Sequence, residues 1–215
     1  MTRTKKLFRP WFSTPVLALI PALLLAGCSS IIDLPGGGEA PALYELRAYD
    51  GPGLTRRNWI LFIEEPSVSG ALSSDQVAVR LGQRRLEYLA GARWSDRTAQ
   101  LLGRYFEESI ENSGLATVVG AGTVEIAGDY RLKIDIRDFS ADVSGGGRAV
   151  VNVRFGSLVL RSAPAEIVGR KQFEASAEAR GRGAEAIIEA FNNALDQATA
   201  GLLAWLAEIP DTDGT

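Results

Sequence analysis

Few side chains in this 215-residue chain can do chemistry, and the first is its single cysteine. Cys28 closes the run Leu25-Ala26-Gly27-Cys28, in which small residues precede the only thiol, as a cleavage site followed by an acylated sulfur requires. The chain has no histidine. That removes the group most used for proton transfer near neutral pH, His-ligated zinc, and every Ser-His or Cys-His nucleophile. Catalysis would have to rest on carboxylates, Lys or Tyr, and two acidic pairs come forward, Glu64-Glu65 before Pro66 and Glu107-Glu108. The first lies at a predicted strand end. The second lies in a predicted helix, where adjacent residues point about 100° apart, so neither pair makes a dyad and both read as solvated surface charge. There is no Gly-Lys-Ser/Thr phosphate loop, and Gly145-Gly146-Gly147 opens a predicted strand where anion capture needs a helix. No catalytic, cofactor-binding or metal-ligating residue is assigned.

Around Cys28 the elements follow the order of a secretory leader. Arg3, Lys5, Lys6 and Arg9 precede an apolar run from Pro15 to Gly27 with no acidic residue among them. That run has 13 residues, with Pro15 and Pro21 inside it. A membrane-spanning helix wants roughly 20. The pattern resembles the bacterial lipobox, which implies cleavage between Gly27 and Cys28, lipid on the Cys28 sulfur, and acylation of its new amino group. Two or more chains anchor stably where one is reversible. Ser29 follows the cysteine, and by the enteric-type sorting rule the absence of Asp there favours the outer membrane over the inner, with the domain facing the periplasm.

Removing residues 1–27 leaves 215 − 27 = 188 residues with a charge of (23 − 4) − 26 = −7. An acidic balance argues against nucleic acid as a partner. With Cys28 consumed by lipid, no disulfide, thiolate nucleophile or Cys-based metal site remains, so one domain must be stable on packing alone. Residues 28–42, with three consecutive glycines between prolines, form a flexible tether; its last 14 residues have an r.m.s. reach of about 20 Å.

Alternation predicts a half-buried strand over Leu43–Tyr49, and the continuous run Trp59–Ile63 predicts a strand covered on both faces. Val77–Leu81 and Arg85–Leu89 read as a hairpin. Ser95 or Asp96 is the predicted N-cap of a helix reaching about Asn112, closed by Gly114, with Ala99, Leu102, Phe106, Ser109 and Ile110 inward. Leu115–Val119 is a short strand. Asp129–Ala141, Ala149–Arg161 and Glu166–Ala179 form an antiparallel meander, with Arg131, Lys133, Asp135 and Arg137 on its polar face. A second helix runs from Ala184 to about Glu208 and buries Ile187, Ile188, Phe191, Leu195, Ala198, Leu202 and Trp205. Its polar face carries Glu185, Glu189, Asp196 and Glu208 and no cation, which suits core packing better than an anionic membrane surface. The expected fold is a single α+β domain over residues 43–210: a mixed, mostly antiparallel sheet with two long amphipathic helices packed on one face. Residues 211–215 form a frayed tail.

These pieces, taken in order, resemble the ABC-type transport auxiliary lipoproteins, whose PqiC-like branch accompanies Mce-type intermembrane lipid transporters. The carriers are the lipobox, Tyr44-Glu45-Leu46, Ile63 with Pro66, Val77–Arg80, Leu86-Glu87-Tyr88-Leu89 leading to Arg93-Trp94-Ser95-Asp96, Asp129-Tyr130-Arg131-Leu132 with Phe139, and the closing helix. The resemblance implies a non-enzymatic periplasmic component that works with an Mce-domain protein and an inner-membrane ABC permease and ATPase in support of envelope integrity. A structural outer-membrane assembly lipoprotein of another envelope machine and a carboxylate-based periplasmic hydrolase stay open beside it, as does homo-oligomerisation. Arg93, Trp94 and Asp96 are the candidate partner surface; a buried Trp stapling the helix entry is the competing reading for the same residues.

Overall fold

A computed structural model describes residues 40–68, 70–82, 84–121 and 128–211. The leader, Gly27, Cys28 and nearly all of the tether lie outside the described residues. In chain order the elements are β1 (Ala42–Tyr44), β2 (Ile60–Ile63), β3 (Ser67–Val68), β4 (Gln76–Leu81), β5 (Arg85–Trp94), α1 (Thr98–Ser113), β6 (Thr117–Gly120), β7 (Tyr130–Asp142), β8 (Val150–Arg161), β9 (Glu166–Glu178) and α2 (Ala184–Leu206).

β7 organises the sheet. Its alternation puts Tyr130, Leu132, Ile134 and Ile136 on the buried face and Arg131, Lys133, Asp135 and Arg137 on the exposed one. Along one edge it pairs antiparallel with β8 over its whole length, and β8 pairs likewise with β9. Its other edge is shared in succession by three short strands, all parallel: β2 against Tyr130–Leu132, β3 against Asp135–Ile136 and β4 against Ala141–Asp142. β6 extends β2 in parallel, β5 extends β4 antiparallel, and β1 adds to β5 in parallel. The long ladders are thus antiparallel and the parallel ones are short. Extra residues, Arg137 in β7 and Val168 in β9 opposite Val159 and Leu160, locally increase twist. The mixed sheet curls into a half-barrel, in a single α+β domain with two helices.

Both helices cover the concave, apolar face. Phe106 of α1 meets Phe155 of β8 at 5.2 Å, and Phe191 of α2 meets Phe139 of β7 at 4.7 Å. Trp94 joins the second pair, 5.3 Å from Phe191 and 5.6 Å from Phe139. Such ring pairs add about 0.5–1.5 kcal/mol each beyond the area they bury. Among the described residues no helix is long and apolar enough to cross a membrane.

Four sequence expectations need correction. The strand expected over Leu43–Tyr49 pairs only through Tyr44, because the chain then leaves the sheet as a strap across the helices: Arg47 N–H donates to Asn192 Oδ1 at 2.9 Å and Tyr49 N–H to Ser109 Oγ at 3.0 Å. β2 buries Leu61 and Ile63 but leaves Ile60 and Phe62 half-covered, so it is not enclosed on both faces. The α1 cap position is Arg97, with extended backbone and no side-chain cap, because the strand-like path of β5 continues to Trp94. The first turn is tied instead by Thr98, whose N–H and Oγ1 both donate to Ser74 O at 3.2 and 2.8 Å. Trp205 is only partly buried, packed on Phe173 at the end of α2.

Candidate functional site

The candidate partner residues sit where β5 hands over to α1. Gly91, at φ +72, occupies an irregularity in the β4–β5 ladder where four residues of β5, Leu89–Ala92, stand against Val77 of β4. A left-handed φ suits glycine. The strand therefore turns, and Trp94 swings into the core with 1% of its surface exposed. Trp94 offers no area to a partner, so the three residues do not form one surface. It acts from beneath, fixing the backbone on which Arg93 and Asp96 stand: Trp94 N–H donates to Asp75 O at 2.8 Å, and Ser95 N–H to Tyr44 O at 2.8 Å.

Arg93 and Asp96 remain at the surface, each in an ion pair. Arg93 Nη1 meets Asp75 Oδ2 at 2.9 Å, and Arg104 Nη1 meets Asp96 Oδ2 at 2.9 Å. Asp96 Oδ1 also accepts the Arg97 N–H at 2.8 Å. The Arg104 bond first, and the Arg97 N–H second, hold the Asp96 carboxyl below the usual carboxylate range. An open polar cavity of about 590 Å³ lies between residues 73–75 and 95–97. Its walls are hydroxyls and paired charges, so its chemistry is hydrogen bonding to a polar ligand or a protein loop.

The acidic pairs do not converge. Glu64 bridges Arg131 and Lys133 at 3.3 and 3.0 Å, while Glu65 accepts a hydrogen bond from Gln100 at 3.4 Å. Glu107 is half-buried; burial pushes its carboxyl up against the pull of the Ala121 N–H, and Glu111 and Glu108 add to the rise. Glu108 is exposed. Among the described residues no group of three or more Cys, Asp or Glu is placed to hold a metal ion.

Two features escaped sequence reasoning. Asn192 and Ser109 look like polar interruptions of apolar helix faces, yet they hold the strap; a buried polar residue on such a face is the one signal available. On the convex face, Gly156 takes an outward position of β8 without a side chain, and basic residues of β7 and β9 gather around it. A glycine inside a strand marks a close approach.

Comparison with known proteins agrees with this architecture. Protein XCC0632 from Xanthomonas campestris, a crystal structure, superposes with a TM-score of 0.69 at 25% identity, over 77% of this chain and 94% of that one. A second crystal structure, of an uncharacterized protein, shares the fold with a TM-score of 0.64 at 14% identity, over 78% of this chain and 99% of the other. No curated protein matches the sequence. Residues 47–202, from the strap through most of α2, match the ABC-type transport auxiliary lipoprotein component, and the chain belongs to that family.

Proposed function

We propose that the protein is a lipid-anchored, non-enzymatic auxiliary component of an Mce-type intermembrane lipid transport system. The observation that carries this reading is the family match over residues 47–202, which begins just after the tether. Residues 1–27 serve as signal peptide, and cleavage after Gly27 exposes Cys28 for lipid and for acyl chains of the palmitate class. Residues 28–42 are the tether, 43–210 the folded domain and 211–215 the tail, whose first residue, Asp211, is docked on Arg57 and Trp59 and whose remaining residues lie outside the described ones. Its partners are an Mce-domain protein and the inner-membrane ABC permease and ATPase. Arg93 and Asp96 supply the exposed part of the partner surface. The reading sets the protein on the outer membrane, facing the periplasm.

On this reading the protein works by holding a partner near the membrane. A tether of about 20 Å raises the domain's effective concentration toward any component that crosses the periplasm, so loss of the anchor behaves as dilution. The test is complementation of a deletion strain with an anchored copy and with a Cys28→Ala copy exported by an ordinary cleavable signal. Labelled palmitate is expected on the anchored copy alone. Bile-salt survival is expected to fall with the soluble copy and to recover when it is overproduced. Equal labelling of both overturns the anchor, and full survival with the soluble copy at native level overturns the tethering role.

A further inference from the structure

The convex face of the sheet, turned away from both helices, contains a groove of about 300 Å³ lined by Lys133, Asp135, Arg137, Gly156, Leu158 and Arg170. Strand register builds it. Lys133 of β7 lies opposite Leu158 of β8, and Leu158 opposite Arg170 of β9; in the next outward-facing row Asp135 lies opposite Gly156, and Gly156 opposite Gln172. Two strand spacings of about 4.8 Å separate the β7 and β9 walls. Between them β8 contributes no side chain at Gly156.

Gly156 needs no unusual φ here; what it supplies is space. A Cβ at this position would sit 3.0 Å from Nη2 of Arg137 and 3.3 Å from its Cζ, because the guanidinium lies across the bare backbone. Arg137 is pinned there from two sides: Nε donates to Asp135 Oδ2 at 3.2 Å and Nη1 to Gln172 Oε1 at 2.6 Å. Asp135 is steadied in turn by Ser67 Oγ at 3.1 Å. Nη2 of Arg137 makes no hydrogen bond or ion pair among the described residues, and neither does the Arg170 side chain. Lys133 spends one contact on Glu64 at 3.0 Å and keeps further donors. In a chain of net charge −3, four cations here, Arg131, Lys133, Arg137 and Arg170, face two carboxylates, Glu64 and Asp135.

We propose that this groove is a binding site for a phosphate ester, held by Lys133, Arg137 and Arg170 over the backbone of Gly156. The donors approach from both walls and from the floor, which matches an anion whose oxygens point in several directions; a carboxylate presents two coplanar oxygens. Leu158 gives the carbon side of the ester an apolar neighbour. A guanidinium already fixed by its own hydrogen bonds loses little freedom on binding. The inference stands on this geometry and does not depend on the transport reading. A phosphate ester has two sources, a phospholipid headgroup or a soluble metabolite.

Calorimetric titration of the full lipidated protein in nonionic detergent at low ionic strength separates them, with glycerol 3-phosphate as the soluble probe and dihexanoylphosphatidylglycerol as the lipid probe. Binding of at least one is expected; tighter binding of the lipid identifies a headgroup, and tighter or equal binding of glycerol 3-phosphate a soluble ester. Arg137→Gln and Arg170→Gln are each expected to weaken binding about fivefold, the effect of roughly one cation at an anionic phosphate surface. Gly156→Val pushes the Arg137 guanidinium out of its pinned position without changing charge and is expected to weaken binding while the circular-dichroism spectrum and melting curve stay native. Arg154→Gln is the control, since Arg154 lies on the same face but opposite Asp138 and Glu174. Failure of both probes to bind overturns the proposal. So does an Arg154→Gln variant that loses as much as Arg137→Gln, or a folded Gly156→Val variant that binds as tightly as the native chain.

Discussion

Asp196 and Tyr105 show how a buried contact between two helices sets the behaviour of single residues. Tyr105 Oη–H donates to Asp196 Oδ1 at 2.7 Å across the α1–α2 seam. Burial pushes the phenol far above its ordinary range, so it remains a donor at any working pH. Burial also raises the Asp196 carboxyl above its ordinary 3.8; the Tyr105 bond and the charge of Arg47 pull it down, and Glu189 pushes it up. A raised carboxyl means that the native state holds the proton more tightly than the unfolded chain. Stability contributed by this site is therefore lost as pH rises from below 3.8 through the raised value, and the full cost is present at neutral pH. Asp196→Asn keeps an oxygen acceptor for Tyr105 and removes the charge. In urea titrations it is expected to be more stable than the native protein at neutral pH, with the gap closing below pH 3.8. A gap that is independent of pH would contradict this account. Sequence periodicity puts Asp196 on the polar face of α2, but a partner 91 positions away is a tertiary fact.

At the scale of elements, the strap from Glu45 to Arg57 is where local pattern and structure part. Over Leu43–Tyr49 the alternation is a strand's, and a strand would have paired those N–H groups with β5. Instead Asn192 Oδ1 and Ser109 Oγ take two of them, while Leu54 and Arg57 N–H groups go to Ser113 O at 2.8 Å and Leu115 O at 2.6 Å. Period-2 alternation reports only that one side is covered, and a helix pair covers it as well as a sheet does. Asn192→Ala leaves the Arg47 N–H without its acceptor, a loss of about 1–3 kcal/mol. Hydrogen exchange is expected to quicken at residues 46–50 and to stay slow in β7. Uniform quickening would mean that Asn192 supports the whole core and not the strap. Helix α1 followed its sequence signals better, ending at Gly114 with φ +69 as a left-handed cap should.

For the molecule as a whole, the chain closes on itself through its last described residues. Asp211 accepts from Trp59 Nε1 and from Arg57 Nη1, both at 3.1 Å, Arg57 Nη2 reaches Ala207 O, and Tyr130 Oη–H donates to Pro210 O at 2.7 Å. Trp59 stacks edge-on against Tyr130 at 4.8 Å, and Ile209 is buried as well. The end of α2 is thereby tied to the start of β2 and β7. Asp211→Ala strips the acceptor from a buried indole N–H and is expected to lower unfolding stability by about 1–2 kcal/mol in urea titration. Ending the chain after Leu206 also removes Ile209 and is expected to cost more. If both chains unfold at the native midpoint, the clamp contributes nothing to stability.

The sequence alone determined whatever depends on neighbours in the chain. The alternation of β7, β8 and β9 separates Leu132, Val153 and Phe173 from Lys133, Arg154 and Gln172, and the three-and-four spacing of α2 marks Phe191 and Leu195 as core; local geometry forces both patterns. The Cys28 motif and the absence of histidine are equally legible. Only the tertiary structure decided that three short parallel strands divide one edge of β7, that Trp94 faces inward while Arg93 and Asp96 face out, and that Arg137 lies over Gly156 toward Gln172. Those outcomes depend on which distant backbone and side-chain donors meet which acceptors, and a single residue of added register in β5 or β7 changes the face on which every later side chain appears.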